Sequence, residues 1–248
     1  MNYITFGNGA KKLVILPGIA IKSVLPMKAA IEAQHKGFSD KYKVYLIDRR
    51  RGTDESYTVF DMAEDTAQKM KELGLEGSCI FGASQGGILA QLIAINHPEL
   101  AGKIVLGSTT SRSTAESDKV FTEWIELAKT KDIKNLITSM CRKIYSKELV
   151  DANLDAYIAA FSDTTEDDLR NFVIQAKDCM KFSIYENMDK IKCPAFVIGV
   201  RNDAVFGVKA SEDIAEKLGC PIYIYEKYAH SVFDEAPDYI ERMYNFFK

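Results

Sequence analysis

The sequence predicts an α/β protein with a doubly wound, mostly parallel sheet and a helical insertion, and three observations support this fold class. Short apolar runs rich in β-branched residues alternate with amphipathic helical patterns, as in βαβ units. The alternation stops between about Arg112 and Lys190, where only helical patterns occur. A chain of 248 residues with 47% hydrophobic content can also bury one large core, and no internal repeat or flexible linker divides it.

Six runs are expected to form buried parallel strands because they are apolar and bounded by Gly, Pro or Asp. They cover residues 13–16, 44–48, 79–81, 104–106, 195–199 and 222–225. Residues 3–6 are expected to add an edge strand.

Helical patterns between these strands cover residues 59–73, 85–96, 210–218 and 237–247. Further helical patterns, with no strand between them, follow the strand at 104–106 and cover residues 118–130, 134–146, 151–161 and 166–188. We therefore expect a core of residues 1–111 and 191–248, onto which residues 112–190 pack as the helical insertion.

Composition and charge exclude several classes of protein. The net charge of −3 lacks the basic surplus typical of nucleic-acid binders. No run reaches membrane-spanning length, and the N-terminus lacks the basic start and apolar run of a secretory signal. The five cysteines form no CxxC pair and are odd in number, which argues against a disulfide framework or a zinc site. We therefore expect a cytoplasmic protein with no nucleic-acid or membrane partner.

The segment "GASQGG" places Ser84 between a predicted strand and a predicted helix. Ligands collect at the carboxyl ends of parallel strands, so this serine lies where chemistry is expected. A nucleophile on so tight a turn needs small neighbours two positions away on each side, and Gly82 and Gly86 satisfy this requirement. The alternative is an ordinary small residue in a glycine-rich turn. The pattern favours Ser84 as a nucleophile.

A serine nucleophile needs a base, and the chain has three histidines. His35 and His97 both lie near predicted helix C-termini, where an interaction with the helix dipole explains them. His230 instead lies in "YEKYAHSVFDEAP", a loop between the last strand and the last helix, and therefore at the same sheet edge as Ser84. We predict that His230 is the base.

The carboxylate that orients this base is predicted to be Asp203, in the loop "VRNDAVFG" after the strand at 195–199. A structural role as a cap for the following helix is the competing interpretation. Glu226 is a second possible partner for the histidine, whereas Asp234 and Glu235 are expected to open the last helix.

The chain order Ser84, Asp203, His230, with a strand before each residue, resembles the α/β-hydrolase family, in particular its serine esterases and lipases. The resemblance extends through the motifs "LVILPG", "VYLIDRRRG", "GASQGG", "PAFVIGVRND" and "YAHSVFDEAP". It implies the α/β-hydrolase fold, with residues 112–190 as a helical cap.

The chemistry also requires donors for the oxyanion, and the backbone N–H of Gln85, directly after the nucleophile, is one candidate. The resemblance places the second donor in "LPGIAIKS". The family usually has His-Gly there, whereas this chain has Pro17 and Gly18, and proline has no N–H to donate. By resemblance, the donor is the N–H of Ile19.

The sequence thus predicts a serine hydrolase that cleaves carboxylic esters through an acyl-enzyme, with a small-molecule acyl substrate and no metal or organic cofactor. The same triad serves thioesterases, aminopeptidases and C–C bond hydrolases, and a non-catalytic ligand-sensing homologue is the alternative from another class.

Two further groups of residues have two possible roles each. Arg49, Arg50 and Arg51 could attract an anionic substrate, but the favoured interpretation is surface pairing with local acids and no role in the site; the acids are Asp54, Glu55 and Asp61. Aromatic residues of the insertion either pack it on the core or line an acyl pocket; they are Phe121, Trp124, Tyr145, Tyr157, Phe161, Phe172 and Phe182.

Overall fold

In a computed structural model that describes residues 1–248, the chain forms a seven-stranded sheet in the order β1-β3-β2-β4-β5-β6-β7. The strands are β1 Tyr3–Phe6, β2 Lys11–Leu16, β3 Tyr42–Ile47, β4 Ser78–Ala83, β5 Ala101–Gly107, β6 Ala195–Val200 and β7 Ile222–Tyr225. Only β1 is antiparallel to its neighbour, and it lies at the edge. This confirms the predicted doubly wound, mostly parallel sheet.

Helices follow most strands, as βαβ connectivity requires. They are α1 Lys28–Gln34, α2 Val59–Glu72, α3 Gln85–Asn96, α4 Ala115–Lys129, α5 Ile133–Ile144, α6 Lys147–Ala160, α7 Glu166–Lys177, α8 Val208–Leu218, α9 Val232–Glu235 and α10 Tyr239–Phe247. Between β5 and β6 there is no strand, and the chain runs through α4 to α7 instead. None of these helices combines the length and apolarity that crossing a bilayer demands.

Both faces of the sheet are buried by helices. Helices α2, α3 and α8 cover one face, and α1 and α10 cover the other. The apolar sides of α4 to α7 form a third core, in which Phe121, Trp124 and Phe172 pack with Val205 and Phe206 from the loop after β6. That contact joins the helical insertion directly to the loop that carries Asp203.

One predicted helix is wrong in its second half. The apolar spacing of residues 166–188 continues a helical pattern, but α7 ends at Lys177. Lys181 then adopts a left-handed φ of 54°, and Phe182 is buried in the sheet-side core instead of the insertion. The N–H of Ser113 donates to the carbonyl of Phe182, so the segment returns to the point where the insertion begins.

Candidate active site

Ser84 lies on a strained turn between β4 and α3, with φ 53° and ψ −122°. Such a backbone persists only where the surroundings enforce it. A Cβ on Gly86 would lie 1.9 Å from the carbonyl oxygen of Leu16, and one on Gly82 would lie 2.4 Å from the carbonyl oxygen of Gly86. The two glycines are therefore required for α3 to approach β2 closely enough to hold Ser84 at the sheet edge.

His230 and Asp203 come together in the loops after β7 and β6. The Nδ1 atom of His230 lies 2.9 Å from Oδ2 of Asp203 and 3.0 Å from its Oδ1, and both side chains are buried. Asp203 also accepts hydrogen bonds from the N–H groups of Val205 (2.8 Å) and Phe206 (3.0 Å). These two hydrogen bonds fix the loop that carries Asp203. Asp203 is not the cap of the following helix, because the N-cap of α8 is Gly207.

The environment of Asp203 keeps its carboxylate charged. Burial alone would raise its pKa, but His230 and the amides of Phe206 and Val205 outweigh that effect, so its pKa lies below the ordinary value. An ionised Asp203 accepts a hydrogen bond from the Nδ1–H group of His230, which keeps the proton on Nδ1 and leaves Nε2 as the basic atom of the ring. Glu226, the competing acid, instead pairs with Arg201 at 3.2 Å on the surface.

A cavity of about 260 Å³ brings Ser84 and His230 to one surface. The hydrogen bonds of the His230 side chain are made by Nδ1 to Asp203, and Nε2 is not hydrogen-bonded to Ser84 Oγ. Most of the wall is apolar, and the insertion contributes Phe121, Trp124, Met140, Ile144 and Tyr145. The core contributes Pro17, Gly18, Ile19, Ala20 and Val205, among others.

The two amides expected to bind an oxyanion belong to Gln85, directly after Ser84, and to Ile19, in the loop after β2. Gln85 is the first residue of α3, where a helix has unsatisfied N–H groups and a partial positive charge. The N–H of Ile19 donates to no acceptor in the protein. Gly18 packs directly against the serine, since a Cβ there would lie 3.1 Å from Cβ of Ser84. Gly18 thus keeps the loop after β2 beside the nucleophile.

A sequence profile of the family described as "alpha/beta hydrolase fold" matches residues 12–237, which is most of the chain. The protein belongs to the α/β-hydrolase family. This agrees with the seven-stranded sheet, the turn at Ser84 and the order of the elements around it.

Individual proteins similar to this α/β-hydrolase carry several different activities in their names. A relative from Caulobacter sp., "Putative carbamate hydrolase RutD", is 26% identical over 195 residues, covering 75% of this chain and 72% of the relative. An alpha/beta hydrolase enzyme from a Medee basin deep-sea metagenome library has a TM-score of 0.88 at 20% identity, over 99% of this chain and 93% of the other. The enol-lactonase from Burkholderia xenovorans has a TM-score of 0.82 at 18% identity, over 99% and 95%.

Arg49 is a residue of this hydrolase that sequence reasoning left out of the site. It is buried, and it donates from Nε to Oε1 of Gln85 (3.2 Å) and from Nη2 to the carbonyl of Pro17 (2.5 Å). Burial lowers its pKa to about 10, against the opposing effect of Asp48. Arg49 thereby connects the loop after β2 to Gln85, the residue after Ser84. Charge in the run "DRRRG" gave no signal that one arginine would be buried.

The other two arginines pair with acids, but not with those expected. Arg50 binds Asp65 at 2.7 Å, and Arg51 binds Asp168 of α7 at 3.0 Å. The second pair joins the core of the α/β-hydrolase to its helical insertion. The expected partners were wrong because the nearest acids along the chain are not the nearest in space.

The remaining histidines and aromatic residues of the hydrolase have separate roles. His97 ends α3 and binds Glu64 at 2.9 Å on the surface, whereas His35, which ends α1, is buried and also lines the cavity. Four aromatics of the insertion lie outside the cavity lining: Tyr157, Phe161, Phe172 and Phe182. Tyr157 stacks on Tyr145 with ring centroids 5.5 Å apart, and so supports a residue that does line it.

Proposed function

We propose that the protein is a serine hydrolase that cleaves carboxylic esters, with Ser84 as nucleophile, His230 as base and Asp203 as the group that orients it. The observation that carries this proposal is the buried His230–Asp203 pair, 2.9 Å apart, whose histidine lines the same cavity as Ser84. A histidine held by a carboxylate at one ring nitrogen can take a proton at the other, which activates a serine hydroxyl that comes within hydrogen-bond reach.

In the proposed reaction, Ser84 Oγ attacks the substrate carbonyl as His230 Nε2 takes its proton. The carbonyl oxygen becomes an oxyanion and accepts hydrogen bonds from the N–H groups of Ile19 and Gln85, a type of contact that contributes about 3 to 4 kcal/mol each to the transition state. The protonated His230 then gives its proton to the leaving alcohol. Water, deprotonated by His230, attacks the acyl-enzyme and releases the acid.

In this proposal, residues 112–190 act as a cap that closes the acyl site. Its support is the apolar wall that Phe121, Trp124 and Tyr145 contribute to the cavity. A dry, apolar wall favours an acyl or alcohol group without charge next to the reacting carbonyl.

The test combines covalent labelling with turnover. The purified protein is treated with a fluorophosphonate probe and assayed with short and medium p-nitrophenyl esters, alongside Ser84→Ala, His230→Ala and the double variant. We expect labelling at Ser84 only, and a loss of about a million-fold in kcat that is the same for the single variants and the double variant. Folded protein without labelling at Ser84 would refute the proposal.

If Ser84 is labelled but no ester is cleaved, Ser84 remains the proposed nucleophile and the proposed substrate class is wrong. A carbamate and a lactone are included as further substrates because the names of the relatives point to them. Both form the same oxyanion at a carbonyl, so the same residues would act on them.

A further inference from the structure

One wall of the catalytic cavity carries a charge that the proposed reaction does not use. Asp234 is the single Asp, Glu, Lys or Arg among the residues that line the cavity. It lies in α9, four residues after His230, and it forms no salt bridge. Tyr145 Oη donates to it at 3.5 Å, and the adjacent Glu235 carries charge of the same sign. Asp234 is therefore a carboxylate without a counter-ion.

The polar groups beside Asp234 add no positive charge. Gln34 lines the cavity and donates from Nε2 to the carbonyl of Phe233 at 2.7 Å. Gln34 and Tyr145 also act on the Asp234 carboxyl as hydrogen-bond donors, which oppose the rise in its pKa. His35 Nδ1 lies 2.9 Å from the carbonyl of Ile31, and a carbonyl can only accept, so Nδ1 carries the proton. Burial lowers the pKa of His35, so the ring is neutral, and its Nε2 is left buried without a partner.

The cavity thus combines a mostly apolar lining with a single charged side chain. Ser84, Ile19 and Asp234 all belong to this lining. Asp234 remains accessible to solvent, so a bound cation would keep part of its hydration and lose little on entering. The partner that Asp234 lacks is a positive charge.

We propose that Asp234 determines substrate specificity by binding a protonated amine on a substrate whose remaining groups fill the apolar part of the cavity. This proposal rests on the proposed serine-hydrolase function. It assigns to Asp234 the recognition of a cation and no part in the chemical step, so its effect falls mainly on KM.

The experiment compares esters that differ only at the end of the acyl chain. p-Nitrophenyl esters of a graded series of chain lengths end in ammonium, hydroxyl or methyl, and kcat and KM are measured for the wild type, Asp234→Asn and Glu241→Gln. Glu241 is a matched control, because it is an exposed carboxylate of α10 with no ion pair or hydrogen bond and no contact with the cavity. Asp234→Asn keeps the shape and removes only the charge.

We expect the wild type and Glu241→Gln to prefer the ammonium ester over the methyl ester about tenfold in kcat/KM at the best chain length, through a lower KM. In Asp234→Asn the preference for the ammonium ester should vanish. An ammonium-to-methyl ratio that is equal in the wild type and Asp234→Asn would overturn the proposal, and so would an equal preference for the hydroxyl ester.

A binding measurement separates this proposal from the proposed function. Alkylammonium ions and alcohols of matched length are titrated calorimetrically into the wild type and Asp234→Asn, which requires no turnover. Tighter binding of the ammonium to the wild type alone supports the subsite even if no ester is cleaved. Equal binding to both proteins refutes the subsite even if the esterase activity is present.

Discussion

The carboxylate of Glu235 accepts hydrogen bonds from both the backbone N–H (3.0 Å) and the hydroxyl of Ser146, and so joins the short helix after His230 to the helical insertion. Next to this pair, the N–H of Ser231 donates to the carbonyl of Ile144 at 2.7 Å. The residues that follow the candidate base are thus held by the same segment that forms a wall of the cavity.

Removal of the Glu235 carboxylate should loosen this junction. We expect Glu235→Ala to lower the free energy of unfolding by about 2 kcal/mol, because two hydrogen bonds to a charged acceptor are lost. KM should rise more than kcat falls, since the wall around the substrate loosens before the nucleophile moves. Urea unfolding and steady-state kinetics measure the two effects. Glu241→Ala serves as the control, and an equal loss of stability in that variant would contradict the role of the Ser146 contact.

The positive φ at Ser84 predicts that glycine at this position gives a more stable protein than alanine does. Ser84→Gly should be more stable than Ser84→Ala by about 1 kcal/mol, because glycine adopts φ 53° without strain whereas alanine keeps the strain of a Cβ. Both variants should be inactive. Thermal unfolding of the pair measures the difference, and equal stabilities would mean that the turn relaxes when its hydroxyl is lost.

The His230–Asp203 hydrogen bond predicts a large effect of an isosteric change. Asp203→Asn should lower kcat about 10⁴-fold, because an amide next to Nδ1 no longer selects the ring tautomer with a free, basic Nε2. The fold should survive, since the asparagine carbonyl can still accept from the amides of Val205 and Phe206. Glu226→Gln is the matched control, and full activity there with loss in Asp203→Asn identifies the orienting acid.

Arg49 should act on rate and not on substrate binding. Arg49→Met removes the contacts to Gln85 and to the Pro17 carbonyl, so kcat should fall about tenfold to a hundredfold at nearly constant KM, as small misplacements of donors do. The free energy of unfolding should also fall, by about 1 to 3 kcal/mol, because the buried side-chain oxygen of Gln85 loses its donor. A variant that loses stability and keeps kcat would assign Arg49 to the fold alone.

The pKa of Asp234 predicts how stability changes with pH. The surrounding protein raises this pKa from 3.8 to about 6, so the folded state holds the proton more tightly than the unfolded state does. The contribution of Asp234 to stability is therefore present at low pH and lost as the pH rises through about 6. The Tm of Asp234→Asn minus that of the wild type should increase between about pH 4 and pH 8.

The neighbours of Asp234 do not mask this effect. Tyr145, Tyr157 and Tyr239 stay neutral over the measured range because burial raises their pKa values. Glu235 is present in both proteins, and its negative charge is one of the causes that raise the pKa of Asp234. A pH-independent difference in Tm would mean that Asp234 titrates as an ordinary carboxyl.

Sequence reasoning succeeded where a pattern is local. The run at residues 222–225 coincides with β7, and α3 begins and ends where the helical pattern does, because both elements are apolar segments bounded by turns. It failed where partners are distant along the chain. The burial of Phe182 beneath the sheet, and that of Arg49 between Pro17 and Gln85, depend on tertiary contacts that no local spacing encodes.

The close approach of Gly86 to the Leu16 carbonyl and the hydrogen bonds of Arg49 tie the turn at Ser84 to the loop after β2. Other parts of the cavity wall are not tied in this way and can be altered separately. The turn at Ser84 and the loop after β2 are interlocked, so random mutagenesis there should yield mostly inactive proteins. The residues that shape the far wall lie instead on α5 and α9, apart from that interlock. Libraries confined to these two helices should change which esters are accepted while the reactive centre is inherited intact.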